Sequence, residues 1–179
     1  WEEPGVNLGK EATAYLWKGL TNGTEYWFRL RMKDSSGNVS SGEIIGPLTP
    51  SETAYTEVSG TISSDTTWPA GVYRVIGNLT VSSGATLVIK PGAIIKFNPG
   101  VYLRADGTLH AVGESGEEIV FTAVADDTHG GDTNGDGASN GSPGDWGRIW
   151  FNGLSSSSSR LEHCVIRYGG NGNQGTVFL

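Results

Sequence analysis

The chain has 179 residues, of which 36% are hydrophobic and 9% aromatic, enough to bury one sizeable core or two small ones. Its net charge of −7, with no basic stripe, argues against a nucleic-acid partner because such a surface repels phosphate backbones. No apolar run approaches the roughly 20 residues needed to cross a bilayer, so the sequence predicts no membrane span. Cys164 is the only cysteine, which excludes an internal disulfide and leaves the compartment open.

Short alternating runs of Val, Ile, Thr, Tyr and Trp fill most of the chain, and 28 glycines provide turns between them. This pattern predicts an all-β fold. In the first fifty residues we expect strands at Ala12–Trp17, Glu25–Lys33 and Gly42–Leu48. Asp34–Asn38 is typical of a hairpin turn, because Asp and Gly adopt its unusual dihedral angles.

The segment "GLTNGTEYWFRLRMKDSSGNVS" resembles the last half of a fibronectin type III domain. The matching residues are Leu20, Gly23, Thr24, Tyr26, Phe28, Asp34, Gly37 and Asn38. The resemblance implies that Tyr26 is the corner tyrosine whose hydroxyl bonds to nearby backbone. It covers only the final three strands, so residues 1–50 are predicted to be the C-terminal half of a β-sandwich.

Residues 51–65 are small and polar and indicate either a linker or a first capping strand. From residue 66 to 179, short strands follow one another after only a few residues, which is too short for a βαβ crossover. No pattern pairs them as clean hairpins. Short strands that turn corners rather than reverse are typical of a solenoid of parallel strands.

This second part resembles the opening coils of right-handed parallel β-helix repeat proteins, many of them secreted by bacteria or archaea. The resemblance rests on Leu87, Ile89, Pro91, Gly92, Leu103, Gly107, Leu109, Gly113, Ile119, Phe121, Thr122, Gly144, Asp145, Trp146, Gly147 and Ile149. About four coils fit the length.

Alternation along the strands assigns side chains to the two faces of each coil. Predicted to point inward are Leu79, Val81, Leu87, Ile89, Leu103, Leu109, Ile119, Phe121, Ile149, Phe151, Leu161, Cys164 and Ile166. Predicted to face solvent are Arg104, Asp106, His110, Thr122, Arg148, Trp150 and Arg167.

Residues 126–145 interrupt the strands with a stretch that contains five aspartates and no Val, Ile, Leu or aromatic residue. Within it, "DTNGDG" places side-chain oxygens of Asp132, Asn134 and Asp136 at alternate positions before Gly137, as in the first half of an EF-hand-type loop. Ala138 would contribute its carbonyl oxygen. Pro143 stands where the bidentate Glu belongs, so Asp127, Asp145 or Asp126 must supply further ligands. We expect a structural Ca²⁺ here, because loops of this length rarely lack a function.

No catalytic constellation stands out in the sequence. His110, His129 and His163 lack metal-type spacing, and Cys164 lies in an apolar strand typical of a core thiol. Trp146 and Trp150 suggest either a sugar-stacking platform or, for Trp146, a lid on the core.

The sequence therefore favours a non-catalytic structural, adhesion or assembly segment of a large extracellular or cell-surface protein, stabilised by calcium. The alternative is the N-terminal part of a secreted β-helix polysaccharide lyase or glycoside hydrolase whose active site lies in later coils. We expect more protein at both termini, from a longer chain or from self-association into a filament, and a polysaccharide ligand remains an open alternative.

Overall fold

A computed structural model describes residues 6, 8, 20, 24–49, 54–153, 155–171 and 175–178. It divides the chain into two compact units, Trp1–Ser51 and Glu52–Leu179. The elements in chain order are β1 (Tyr26–Leu30), β2 (Glu43–Leu48), β3 (Tyr55–Ile62), β4 (Thr66–Trp68), β5 (Gly71–Val81), β6 (Thr86–Ile89), β7 (Ala93–Phe97), β8 (Leu103–Ala105), β9 (Thr108–Val112), β10 (Ile119–Ala123), β11 (Ile149–Phe151), α1 (Ser155–Ser158), β12 (Arg160–Glu162), β13 (Cys164–Ile166) and β14 (Val177–Phe178).

In the first unit, β1 and β2 form an antiparallel pair. The turn between them is stabilised by Asp34, whose carboxylate accepts hydrogen bonds from the Ser36 and Asn38 amides. These bonds, with one from the Asn38 side chain, lower the pKa of Asp34. The predicted strand Ala12–Trp17 lies outside the described residues, so the sandwich resemblance rests on this one strand pair.

The second unit is a stack of coils in which every strand pairing is parallel. Three ladders run along the stack: β4–β6–β9–β12; the N-terminal half of β5 with β7, β10 and β13; and the C-terminal half of β5 with β8, β11 and β14. Because the chain visits the three ladders in turn, β4 to β14 complete four coils. This is a parallel β-helix, and β3 extends it by pairing in parallel with β5.

The interior of the coils is filled by aliphatic and aromatic side chains stacked in register. Most of the residues predicted to point inward are buried, namely Leu79, Val81, Leu87, Ile89, Leu103, Leu109, Ile119, Phe121, Ile149 and Phe151. Leu161, Cys164 and Ile166 of the last coil are only partly buried and pack against this core. Alternation with period two therefore identified the core correctly.

Adjacent coils approach one another closely at two corners. A Cβ atom on Gly107 would lie 2.1 Å from the Ser82 carbonyl oxygen, and one on Gly113 would lie 2.5 Å from that of His163. Only glycine fits these distances, which explains why both positions belong to the β-helix pattern of the sequence.

Replacing Ile119 by Ala should lower the free energy of unfolding by about 2–5 kcal/mol, because Ile119 is fully buried and the truncation leaves a cavity. Ile76→Ala is the matched control, since Ile76 lies in β5 but is 42% exposed, and it should change stability by about 0.5 kcal/mol or less. Urea unfolding followed by circular dichroism measures both, and equal losses would contradict the assigned core.

Candidate functional site

The outer face of the ladder formed by β5, β7, β10 and β13 carries a row of polar side chains: Arg74, Lys96, Thr122 and Arg167. Strand register places Arg74 beside Lys96 and Lys96 beside Thr122. Arg167 follows at the end of β13, where its amide donates to the Phe121 carbonyl oxygen. Because three of these four residues are cationic, we call the four together the cation row.

The Asp/Gly-rich segment 124–148, between β10 and β11, folds across the cation row. Arg74 Nη1 donates to the Thr133 carbonyl oxygen at 3.0 Å, and Lys96 Nζ donates to that of Gly131. Lys96 Nζ also lies 3.9 Å from Asp127 Oδ1. The loop is therefore held by polar contacts along its length, and its residues 126–145 provide no large apolar side chain to the core.

Asp126 anchors the start of this loop and is fully buried. Thr122 Oγ1 donates to Asp126 Oδ2 at 2.7 Å, and the Thr128 amide and hydroxyl both donate to Oδ1. His129 Nδ1 lies 3.0 Å and Arg167 Nη1 3.7 Å from Oδ2. Burial by itself raises the pKa of Asp126, but the hydrogen bonds from Thr128, Thr122 and His129 outweigh it and leave the pKa lowered.

The prediction that Thr122 faces solvent was wrong. Its side chain does point to the outside of the coil, but the loop covers it and its exposure is 0%. The sequence pattern predicted the face of the strand correctly, but not that the segment directly after β10 folds back to cover this side chain.

Three of the predicted calcium ligands converge. Asp127, Asp132 and Asp136 each place a carboxylate oxygen within 4.8 Å of the other two. Asp132 is held by amides of its own turn, since Asn134, Gly135 and Gly137 all donate to it. Gly137 has φ +84°, the left-handed conformation expected of the glycine that follows three alternating ligands.

Two further oxygens of this cluster are buried without a hydrogen-bond partner, Asp127 Oδ1 and Asn134 Oδ1. Asn134 uses its amide nitrogen to donate to Asp136 Oδ2 at 2.8 Å. Buried oxygens normally accept a hydrogen bond or a cation, so this pair calls for an electropositive partner.

The remaining two predicted ligands are Asp145 and Ala138. Asp145 is not a member of the carboxylate group, and its Oδ2 accepts a 2.7 Å hydrogen bond from the Ser142 amide. Ala138 is exposed on the loop, next to Ser139, whose amide donates to Asp127 Oδ2. Asp127 is thus the acidic residue outside the "DTNGDG" turn whose carboxylate lies close to those of Asp132 and Asp136.

The buried Lys96 ammonium is the nearest positive charge to the carboxylate group. Burial lowers the pKa of Lys96, while Asp127, Asp126, Asp132 and Asp136 oppose that shift by stabilising the charged form. A single ammonium cannot neutralise this number of carboxylates, and the sequence reasoning had not identified Lys96 as part of the site.

A second polar face lies on the outside of β8, β11 and β14. Register aligns Arg104, Trp150 and Phe178 in one row across these strands. The Arg104 guanidinium stacks 4.9 Å above the Trp150 ring and bonds to Asp106 at 2.8 Å. Asn152 Nδ2 also donates to Asp106, at 2.7 Å, and these two hydrogen bonds lower the pKa of Asp106. Trp150 and Asn152, which contact Arg104 and Asp106, come from another coil, and the sequence had not indicated these contacts.

Trp146 lies in the core, and Cys164 packs against it. Trp146 has 0% exposure, stacks on Phe97 with ring centroids 4.2 Å apart and donates from Nε1 to the Arg167 carbonyl oxygen. It is therefore a lid on the core and is excluded as a sugar platform. Burial raises the pKa of the Cys164 thiol to about 11, consistent with the predicted core thiol.

Comparison with known proteins identifies the second unit. The model of a family described as a pectate-lyase-like β-helix domain matches residues 60–176. Protein bark beetle of Drosophila melanogaster is 32% identical over 65 residues, which are 36% of this chain and 2% of that protein. The chain thus spans a very small part of the length of this curated relative. No solved structure matches the chain significantly.

Replacing Asp126 by Asn should lower the free energy of unfolding by about 3 kcal/mol at pH 7, because the buried bonds to a charged group are weakened. Since the folded-state pKa of Asp126 is lowered, its stabilisation is complete above the unfolded value near 4 and is lost as the pH falls through the folded value. The difference in the free energy of unfolding between wild type and variant should therefore be smaller in acid. Urea unfolding in chelator at pH 7 and pH 3 measures it, with exposed Asp65→Asn as control.

Proposed function

Since the chain belongs to the family of pectate-lyase-like β-helix domains, we propose that it is a non-catalytic structural, adhesion or assembly segment of a large extracellular or cell-surface protein. The four-coil stack supplies a stiff spacer, and the loop fastened to its side binds a structural Ca²⁺. The convergence of Asp127, Asp132 and Asp136 carries this proposal. The small fraction of Protein bark beetle that the chain matches is consistent with a segment of a longer protein.

The calcium proposal rests on charge and on ligand type. Three carboxylates within 4.8 Å repel one another unless a cation lies between them, and Lys96 supplies only one positive charge at 3.9 Å from Asp127. Ca²⁺ prefers six to eight oxygen ligands and accepts irregular geometry. Asp127 Oδ1 and Asn134 Oδ1, which accept no hydrogen bond, are ligands of the required kind.

For the first unit we propose a fibronectin type III-like module that precedes the β-helix. Its support is the antiparallel β1–β2 pair and the Asp34 turn at the place expected for the last hairpin of such a sandwich. Within the described part of the chain, no helix combines the length and the apolar character that crossing a bilayer requires.

Calcium should raise the melting temperature of the wild-type chain by several degrees relative to EDTA, because an ion that binds only the folded state stabilises it by about 2.7 kcal/mol at 100 times its Kd. The double substitution Asp132→Asn with Asp136→Asn should abolish that difference. Calorimetric titration and thermal melts measure both effects.

The matched control for this experiment is Asp65→Asn, an exposed aspartate whose carboxylate accepts a hydrogen bond from the Thr86 amide outside the loop. It should leave the calcium response intact. Wild-type protein that releases no heat on titration and melts identically in Ca²⁺ and EDTA would contradict the calcium proposal.

A second candidate function is polysaccharide binding, as part of a secreted lyase or glycoside hydrolase. The Arg104–Trp150–Phe178 row favours it, because an aromatic ring flanked by fixed hydrogen-bonding groups suits a sugar ring. Asp106 is unsuited to be a general acid at neutral pH, since its pKa is lowered by Asn152 and Arg104. This face would bind a glycan, whereas cleavage of the glycan would require catalytic residues elsewhere.

Trp150→Ala should lower the apparent affinity of the protein for a soluble polysaccharide about tenfold, as measured from its retardation in gels that contain the polysaccharide. The reason is that stacking of a ring on an aromatic side chain is worth about 1–3 kcal/mol. Affinity electrophoresis with polygalacturonate and with a neutral β-glucan measures this. Trp27→Ala, at a 52% exposed tryptophan of the first unit, is the control. Mobility unaffected by either polysaccharide would exclude this second function.

A further inference from the structure

An apolar row lies next to the cation row on the same outer face. Val72, Ile94, Val120 and Val165 are aligned by the register of β5, β7, β10 and β13. Aliphatic side chains at every position of an outward row are unusual, because this face would otherwise meet water. Such a row favours contact with a further segment of protein.

The first half of the apolar row is covered by the chain itself. The backbone of Gly130, in the loop, lies so close that an added Cβ would be 3.1 Å from Val72 Cγ2 and 3.3 Å from Ile94 Cγ2. Gly130 also has φ +72°, so both space and conformation favour glycine there. The fold thus already seats a peptide backbone directly on this row.

The second half of the row opens into a groove of about 370 Å³. Its floor is formed by Ile94, Val120 and Val165, and its sides by Pro91, Gly92 and Ala70. Val165 is 37% exposed, whereas Val120 lies deeper at 7%. The groove continues the strip on which Gly130 lies, so an extended segment placed in it would follow the same surface.

The rim of the groove is acidic. Glu117 and Glu118 line it and are exposed, and His129 lines the side formed by the loop. Glu118 Oε1 makes only a long 3.3 Å bond, to the Gly116 amide. No Lys or Arg is among the described lining residues. An apolar floor beneath two carboxylates is complementary to a ligand that combines apolar and cationic groups.

We infer that this groove binds an extended peptide segment of a partner protein in which valine-like residues alternate with lysine or arginine. The apolar side chains would contact Val120 and Val165, and the cationic ones would lie beside Glu117 and Glu118. An extended segment is favoured over a compact ligand because the apolar floor is a single row of side chains that runs from β7 across β10 to β13. A second copy of this chain is disfavoured as occupant by its net charge of −7.

Fluorescence anisotropy with a labelled hexapeptide alternating lysine and valine tests this inference on the full chain. The matched probes are hexapeptides that alternate glutamate with valine and lysine with serine. The lysine–valine peptide should bind at least about tenfold more tightly than either, because each control lacks one of the two complementary features. Repeating the titration in Ca²⁺ and in EDTA separates the groove from the calcium proposal.

Two sets of groove variants locate the binding. Glu117→Gln with Glu118→Gln removes the charge without changing shape and should weaken the lysine–valine peptide about fivefold to tenfold. Val165→Ser should weaken it about fivefold and, as Val165 is partly exposed, should leave the circular dichroism spectrum unchanged. Glu114→Gln, in the same turn but outside the groove, should have no effect.

Several results would overturn the inference. One is equal binding of the lysine–valine and glutamate–valine peptides, or no binding at about 1 mM peptide. Another is peptide binding that survives both groove variants. Sedimentation showing a dimer that Val165→Ser dissociates would make a second copy the occupant, and displacement of the peptide by equimolar spermidine would make the ligand a simple polyamine.

Discussion

A fully buried lysine governs how the long loop is organised. The Lys96 ammonium sits on the outside of the coil, yet the loop covers it completely, so its charge is compensated by the Gly131 carbonyl and by Asp127 rather than by water. A buried charge without such partners would cost several kcal/mol. Loop and strand therefore depend on each other: residues 126–145 include no Val, Ile, Leu or aromatic side chain that could pack on the strands, and the Lys96 ammonium takes its polar partners from this loop.

Two neighbouring rows on one face of the β-helix differ in polarity: one is mostly cationic and the other is apolar. The cation row takes up the acidic loop, and the apolar row beside it carries Gly130 on one half and the open groove on the other. Parallel stacking brings this about, because the same outward position of each coil falls directly above that of the last. A short motif repeated once per coil thus becomes a continuous strip along the β-helix.

The sequence predicted those features that depend on local pattern. Inward rows such as Leu103 and Ile149 follow from period-two alternation, and the turn of Asp132 to Gly137 follows from ligand spacing. What it missed depends on which distant strands become neighbours. The pairing of Arg104 with Trp150 requires the register between coils, which no single strand encodes. The burial of Thr122 depends on how the loop after β10 folds back over its strand. The role of Asp127 rather than Asp145 likewise depends on the path of the loop.

The fourth coil contains a thiol whose reactivity depends on how the coil is packed. The Cys164 thiol, with its pKa near 11, lies against the carbonyl oxygens of Ala111 and Glu162, so almost none of it is thiolate at neutral pH. The raised pKa slows alkylation of Cys164 at neutral pH, because the thiolate is the nucleophile, and separation of β13 from β10 would expose this partly buried thiol further. The labelling rate of this single thiol therefore reports how well β13 is packed against β10, and no second reactive group has to be introduced into the protein.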